Sequence, residues 1–415
     1  MQILYTLGIH LYGLGIKLAA PFNGKAKQWV GGRRNQFDAM RQKLSTDSRP
    51  AVWVHASSMG EFEQARPLIE LLHSQYPEYK VVVTFFSPSG YEIRKNYDLA
   101  SAVLYLPLDT PRNARRFLDI VNPQVALFVK YDFWFNTLAE LRRRTVPTFI
   151  FSTIFRPSQY FFKWYGRWFR KQLSAFTHFF VQNEESLQLL QAIGYENVTI
   201  AGDTRFDRVA KIAATAAPNA VVERFADVKP VVMAGSTWPP DERMLQHFIA
   251  TTPHHVKLII APHEIDSEHI EQIKALFGPT AVCYTEVDEK TVFDNYKVLI
   301  VNTMGMLSSL YRYSHITYIG GGFGKGIHNI LETVVYGTPV CFGPNYQKFQ
   351  EARDIIALGG GRCVTNAEQL SEVFNNWLSN NDLWQQCSDI CSSYTKANIG
   401  SSEKIFQILC NCLKK

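Results

Sequence analysis

The sequence predicts an α/β protein of two doubly wound, Rossmann-like domains facing a central cleft, preceded by a membrane-associating helix. Three observations lead there. The length, 415 residues, gives two to three domains at about 150 residues each. From residue 50 onward, short apolar runs rich in β-branched residues alternate with helix-length segments, in two tandem series. Residues 3–20 form a nearly uncharged apolar stretch at the start of the chain. The composition, 46% hydrophobic and 19% charged, is globular and excludes disordered and collagen-like classes.

Residues 3–20 are apolar apart from Thr6, His10 and Lys17. A spanning helix needs about 20 apolar residues, so the stretch is borderline as a span. It has no small-x-small cleavage site, which argues against a removed signal peptide. Lys17, Lys25, Lys27, Arg33 and Arg34 follow, a cluster suited to the anionic cytoplasmic leaflet. Residues 1–22 are therefore expected to span or lie on a membrane, with the rest of the chain cytoplasmic. A buried helix packed on the first domain is the alternative.

The first strand series is 51–56, 80–85, 102–106, 125–129, 148–151 and 178–182. It places a first domain over 23–209. A looser alanine-rich stretch, 210–229, reads as a linker. The second series is 231–234, 257–261, 281–284, 298–301, 316–319 and 339–342, placing a second domain over 230–400. Residues 401–415 read as a helix that crosses back to the first domain. Apolar runs separated by helices indicate parallel sheets buried on both faces. Ligands of such domains sit beyond the carboxyl ends of the strands, so residues that follow strands become the candidates.

The 43 basic and 37 acidic residues leave a net charge of +6. That excess is too mild for nucleic acid but suits an anionic substrate or a membrane surface. The seven cysteines, all from Cys283 onward, form no C-x-x-C pair. This excludes a disulfide framework and a zinc ribbon, and fits reduced thiols in the cytoplasm. No D-x-D or H-E-x-x-H occurs, so no metal ligands are assigned.

Four segments carry candidate chemistry. In His55-Ala56-Ser57-Ser58-Met59-Gly60-Glu61, a strand ends in small polar residues and Glu61 opens a helix over 62–72. Gly60 would let a substrate approach the backbone, and Glu61 could be a general base or could merely complement the helix N-terminus. Because that terminus favours the carboxylate, a base role needs an apolar or ligand-derived offset. Gly320-Gly321-Gly322-Phe323-Gly324-Lys325-Gly326 follows a strand but is neither a Walker loop nor G-x-G-x-x-G. Its backbone could cradle an anion, and Glu332 downstream could accept hydrogen bonds from a ribose diol. Asn302-Thr303-Met304-Gly305-Met306 lies at a strand-to-helix turn, whose N–H groups could hold a phosphate. Residues 155–171 mix Arg156, Lys163, Arg167, Arg170 and Lys171 with eight aromatic residues, including Trp164 and Trp168. That mixture suits a bilayer headgroup boundary, core packing explaining about a third of the rings.

Taken in order, HASSMGE, VQNEES, AGDTRFD, NTMG, GIHNILE and FGPN resemble the bacterial 3-deoxy-D-manno-octulosonic acid (Kdo) transferases over essentially the whole chain. The resemblance implies a GT-B fold and no cofactor. It also implies metal-independent, inverting transfer of Kdo from CMP-Kdo to the lipid A precursor, a step of lipopolysaccharide biosynthesis. It makes Glu61 the general base and gives Ser57, Ser58 and Gly60 to the acceptor side. Arg205 stands where the family has lysine in S-x-K-F-D, keeping a cation. Pro262-His263 aligns with a Pro-Arg nucleotide contact and Met304-Gly305-Met306 with Met-Gly-Glu. Asn329, Ile330, Leu331 and Glu332 align with Asn-Pro-Leu-Glu, with Gly321 and Gly322 on the same donor side. The family's Glu-x-Glu-Leu-Trp reads Lys130-Tyr131-Asp132-Phe133-Trp134 here, so Lys130 replaces one implied catalytic glutamate and Asp132 lies two positions on. The alternatives are a transferase or epimerase of the same fold using another nucleotide sugar, or a non-catalytic lipid-binding relative.

Overall fold

The computed structural model describes residues 1–227 and 229–413. Val228, in the expected linker, and Lys414 and Lys415, at the end of the expected terminal helix, lie outside the described residues. The chain divides into two compact units, Met1–Arg208 with Gly400–Lys415, and Val209–Ile399.

The first unit is built on β1 (Ala51–His55), β2 (Lys80–Phe85), β3 (Ala102–Tyr105), β4 (Pro123–Val129), β5 (Thr148–Thr153), β6 (His178–Val181) and β7 (Val198–Ile200). Their order is β3-β2-β1-β4-β5-β6-β7, and β1 pairs in parallel with both β2 and β4. Every residue of β1 and β2 is buried, as expected of parallel strands covered on both faces. The strand alternation sends Trp53 and Phe128 into one core with Phe117, Phe155 and Phe161. Val52, Val54 and Phe151 enter the other, with Phe62, Leu68 and Phe85. The last helix, Ser401–Cys410, adds Ile405, Phe406 and Leu409 to that second core.

The N-terminal helix, Gln2–Ala19, is built inside out. Tyr5, Thr6, Ile9, Gly13 and Ile16, at helical spacing, are turned inward, whereas Leu4, Leu7, Leu11, Leu14 and Leu18 are exposed. Gly13 packs so closely that a Cβ there would lie 2.6 Å from Leu108 Cδ2. No single described helix is long and apolar enough to cross a membrane; by length and composition, only Gln2–Ala19 and Gly24–Gly31 taken together, bent by 119°, would reach that mark.

The second unit contains β8 (Val231–Thr237), β9 (Lys257–Pro262), β10 (Ala281–Cys283), β11 (Val298–Ile300), β12 (Ile316–Ile319), β13 (Val340–Phe342) and β14 (Gly361–Cys363). They run in the order β10-β11-β9-β8-β12-β13-β14. Val232, Leu258, Ile260, Phe248, Phe374 and Trp377 belong to a core on this sheet. The expected linker is not a linker. Residues 210–229 carry the end of a helix, Arg205–Thr215, and a second helix, Ala220–Ala226, whose Val222 and Phe225 are fully buried.

Candidate active site

In the first sheet the chain order reverses between β1 and β4, the switch point at which doubly wound sheets bind ligands. The residues after these two strands meet there. The helix after β1 begins earlier than the pattern implied, at Met59, and runs to Gln75 with Ser58 as its N-cap. Ser58 and Glu61 form a reciprocal capping box. Glu61 Oε2 accepts from the Ser58 N–H at 2.7 Å and from Ser58 Oγ at 3.0 Å. The half-buried carboxylate is therefore pinned through one oxygen, and neither of these bonds uses Oε1. Gly60 is exposed, and a Cβ there would meet nothing within 4 Å, so protein packing does not require the glycine.

After β4, the buried Asp132 reaches back to the same loop. Its Oδ1 accepts from Ser57 Oγ at 2.6 Å and its Oδ2 from the Ser57 N–H at 3.2 Å. Burial, and next the charge of Glu61, hold the Asp132 carboxyl well above the usual carboxylate range, against those two hydrogen bonds. His55 lies beneath, fully buried. Its Nε2 accepts from Trp134 Nε1 at 2.8 Å, which puts the ring proton on Nδ1, facing Thr84 Oγ1 at 2.8 Å. Burial pushes the ring down to about 3, and the ring approaches Asp132 at 3.5 Å. His55 and Trp134 hold the floor of the site. Their partners are remote in sequence, which is why the local pattern passed over them.

Lys130 adopts a left-handed backbone, φ 57°, fixed by its N–H to Phe151 O and by Thr153 Oγ1 to its carbonyl. Arg205 is held by the buried Asp203, Nε at 2.9 Å and a terminal nitrogen at 2.8 Å. Asp203 also accepts from Gln64 Nε2 at 2.8 Å. Burial would raise Asp203, but the Arg205 and Lys130 charges and these hydrogen bonds bring it below the usual value. Arg156 stacks 5.8 Å from the Tyr131 ring. Arg156 and Arg205 both act on Tyr131, and Arg205 and Lys130 on Asp203, so the three cations lie near one another.

Residues 155–171 need correction. They form a 3-10 turn, Tyr160–Phe162, and a helix from Arg167 to Leu173. Phe155 and Phe161 are core, and Tyr160, Phe162, Trp168 and Phe169 pack against it, so packing explains most of the rings. Trp168 sits 5.2 Å from Phe135. Trp164, 91% exposed, and Tyr165 are the rings left outside, beside half-buried Lys163 and exposed Arg167. Arg33 is also no surface cation. It stacks on Trp29 at 3.9 Å and donates to the Trp29, Phe86 and Leu106 carbonyls, and burial lowers it to about 9.

In the second unit the order reverses between β8 and β12, and β9 flanks β8. The glycines after β12 answer to packing. A Cβ on Gly322 would lie 2.6 Å from the Gly343 backbone, and one on Gly321, φ 88°, 2.6 Å from the Gly326 carbonyl. Nor is the Gly321 N–H open to an anion, because it donates to Asp241 Oδ2 at 3.0 Å. Asp241, fully buried, also accepts from the Trp238 N–H at 2.9 Å and the Tyr318 phenol hydroxyl at 2.7 Å. It joins the ends of β8 and β12, and sequence reading missed it. Pro262, buried, ends β9, and exposed His263 follows, its ring 4.4 Å from that of His328 and 4.9 Å from Trp238.

Met304 is exposed, Gly305 has φ 87°, and Met306 Sδ faces Thr303 Oγ1 at 2.9 Å. The helix that follows is a single turn, Leu307–Leu310, with Met306 as its N-cap. Ile330 and Leu331 are buried in the core, which leaves the polar pair. Asn329 Nδ2 donates to Glu332 Oε1 at 3.1 Å, and Ser308 Oγ to Oε2 at 2.7 Å. Among the described residues, no group of three His, Cys, Asp or Glu side chains is placed to hold a metal ion.

Residues 32–208 match a family model described as 3-deoxy-D-manno-octulosonic-acid transferase. The chain is 26% identical to a 3-deoxy-D-manno-octulosonic acid transferase of Bordetella pertussis, over 97% of this chain and 99% of that one. Among solved structures, UDP-GlcNAc 2-epimerase from Neisseria meningitidis is similar with a TM-score of 0.61 at 16% identity, covering 87% of this chain and 100% of that one. The calicheamicin glycosyltransferase CalG4 is similar with a TM-score of 0.55 at 12% identity, covering 88% and 98%. These two likenesses speak for the fold: two Rossmann-like α/β domains of the GT-B kind.

Proposed function

From the family model matched over residues 32–208 and the similarity to a Bordetella pertussis Kdo transferase along nearly the whole chain, we propose that the chain belongs to the 3-deoxy-D-manno-octulosonic acid transferase family and moves Kdo from CMP-Kdo to the lipid A precursor, with inversion. The observation that carries the reading is the Glu61 carboxylate at the first sheet's switch point, tied to Ser58 through Oε2. Glu61 Oε1 takes the proton of the attacking sugar hydroxyl. The hydroxyl oxygen then bonds to the anomeric carbon of Kdo as the bond to the CMP phosphate breaks, and CMP leaves with the electron pair. Of the two carboxyls at the switch point, burial and the Glu61 charge raise Asp132, which leaves the base role to Glu61.

Lys130, Arg156 and Arg205 give the acceptor side a cationic wall that suits a phosphorylated, anionic acceptor. On the second unit, Asn329 and Glu332 receive the ribose and His263 faces the phosphate. No step is assigned to a metal ion or cofactor. The exposed leucines of the first helix, with Trp164 and Tyr165, support docking on the cytoplasmic face of the inner membrane as an interfacial helix.

The test is nucleotide release from CMP-Kdo, in EDTA, with and without lipid A precursor and with UDP-sugars as competing donors. The proposal expects CMP release that requires the acceptor and survives EDTA. Acceptor-dependent release of UDP instead would give the fold a different donor.

A further inference from the structure

The strands of the second sheet end at the candidate nucleotide residues and begin at a second concentration of charge. β9 lies between β8 and β11, and each of these three neighbours starts at or just after a lysine. Lys229 stands two residues before β8, Lys257 is the first residue of β9, and Lys297 immediately precedes β11. Adjacent strands lie about 4.8 Å apart, so the three lysines are near neighbours. With His254, His255 and Asp294 they line a cavity of about 130 Å³, more than a single water needs.

Lys257 shows what the cavity suits. Only 3% of it is exposed, and a buried ammonium ordinarily has an anionic partner. Lys257 has carbonyls instead. Its Nζ donates to Phe293 O at 2.9 Å and to Tyr296 O, and lies 4.8 Å from the centre of the Phe225 ring. An ammonium has three N–H donors, and these bonds use two. Burial, and next the charge of Lys229, lower Lys257, while the exposed Asp294 and Asp227 act against them from a distance. The ammonium groups of Lys229 and Lys297 have no hydrogen-bond or ion-pair partner among the described residues. Three lysines facing one lining carboxylate, Asp294, leave the cavity cationic.

The first sheet supplies the contrast. β2 also starts at a buried lysine, Lys80, whose Nζ donates to the Asp47 carbonyl. There the nearby cation Arg49 already has a carboxylate, that of Asp47, at 2.7 Å. The lysines of the second sheet have no carboxylate so placed.

We propose that this cavity is a second anion site, which binds the phosphoryl group of a small soluble phosphate at the sheet edge remote from the proposed donor residues. Lys229 and Lys297 hold the phosphoryl oxygens by charge-assisted hydrogen bonds, and the third N–H of Lys257 donates to the same group. The site does not depend on the Kdo reading and stands if that reading falls.

The experiment is calorimetric titration of the full chain with inorganic phosphate and with diphosphate, at pH 7.5 and constant ionic strength. Wild type is expected to bind at least one of them with a Kd below about 1 mM. Lys229→Gln combined with Lys297→Gln is expected to weaken that binding about 100-fold, roughly tenfold for each charge-assisted bond removed, with the melt unchanged. Lys325→Gln, in the glycine-rich loop at the other edge of the sheet, should bind as wild type does. Equal binding by wild type and the double variant, a loss in Lys325→Gln instead, or no wild-type binding at about 1 mM would overturn the inference. Phosphatidate vesicles that sediment wild type but not the double variant, with neither soluble phosphate bound, would place the phosphoryl group on a lipid and overturn it too.

Discussion

Tyr5 donates its hydroxyl to Asp109 Oδ2 at 2.7 Å, fastening an otherwise outward-greased helix to the first unit by a polar stitch. Asp109 is buried and also accepts from the Asn136 and Thr137 N–H groups and the Thr137 hydroxyl. Gln2 and Thr6 add bonds to Asn136. The polar residues thus face the protein and the leucines face outward. Tyr5→Phe should lower stability by about 1–2 kcal/mol, read as a lower midpoint in a chemical melt, and should speed proteolysis within the first 22 residues. An unchanged melt would remove Tyr5 from the fastening.

The exposed leucine stripe gives a separate prediction. Replacing Leu7, Leu11 and Leu14 together by Ser should leave the melt within about 0.5 kcal/mol, because these side chains are already exposed. Binding to anionic vesicles should weaken at least about 100-fold, since each leucine buried in a bilayer boundary contributes on the order of 1.5 kcal/mol or more. Co-sedimentation with vesicles measures it. Unchanged sedimentation would show that the stripe is not the membrane face.

Asp132 makes stability depend on pH in a stated direction. Burial and the Glu61 charge raise its folded-state pKa above the unfolded value, so its contribution is full below the unfolded pKa and is lost as pH rises through the folded one. Asp132→Asn cannot ionise and should escape that loss. Chemical melts from pH 4 to pH 8 should show wild type losing stability relative to the variant as pH rises. A parallel pH dependence would mean that Asp132 is ionised throughout.

Asp241 holds the strand ends of the second unit. Asp241→Ala leaves three buried donors, from Trp238, Tyr318 and Gly321, without their acceptor. A loss of about 3 kcal/mol or more is expected, together with weaker nucleotide binding. Titration below the melting temperature separates the two effects.

The two-domain α/β fold was legible because continuous apolar runs and helix-length spacers are local properties. β7 and β14 escaped notice because three residues at a sheet edge carry no period to read. Glu61 stood out as a carboxylate after a strand, at the position where such sheets bind ligands, whereas Asp132 was marked only by the resemblance to the Kdo transferases. What local pattern cannot give is a remote partner. The glycines at 321 and 322 looked like an anion cradle, but the crossing of Gly343 and the carboxylate of Asp241 explain them. Arg33 looked like a surface cation until three carbonyls and Trp29 claimed it. The aromatic run at 155–171 likewise depended on Phe133, Phe135 and Phe176 for its meaning.

The most direct test of the central claim is the acceptor-dependent rate of CMP release by Glu61→Gln under saturating CMP-Kdo and lipid A precursor. Glutamine keeps the shape and an oxygen for the Ser58 donors but cannot take a proton. The account predicts that kcat falls about 100-fold or more while KM for both substrates stays within a few-fold and the melt is unchanged. A kcat within a few-fold of wild type would contradict it, leaving Glu61 as the cap of its helix and the base to be sought elsewhere.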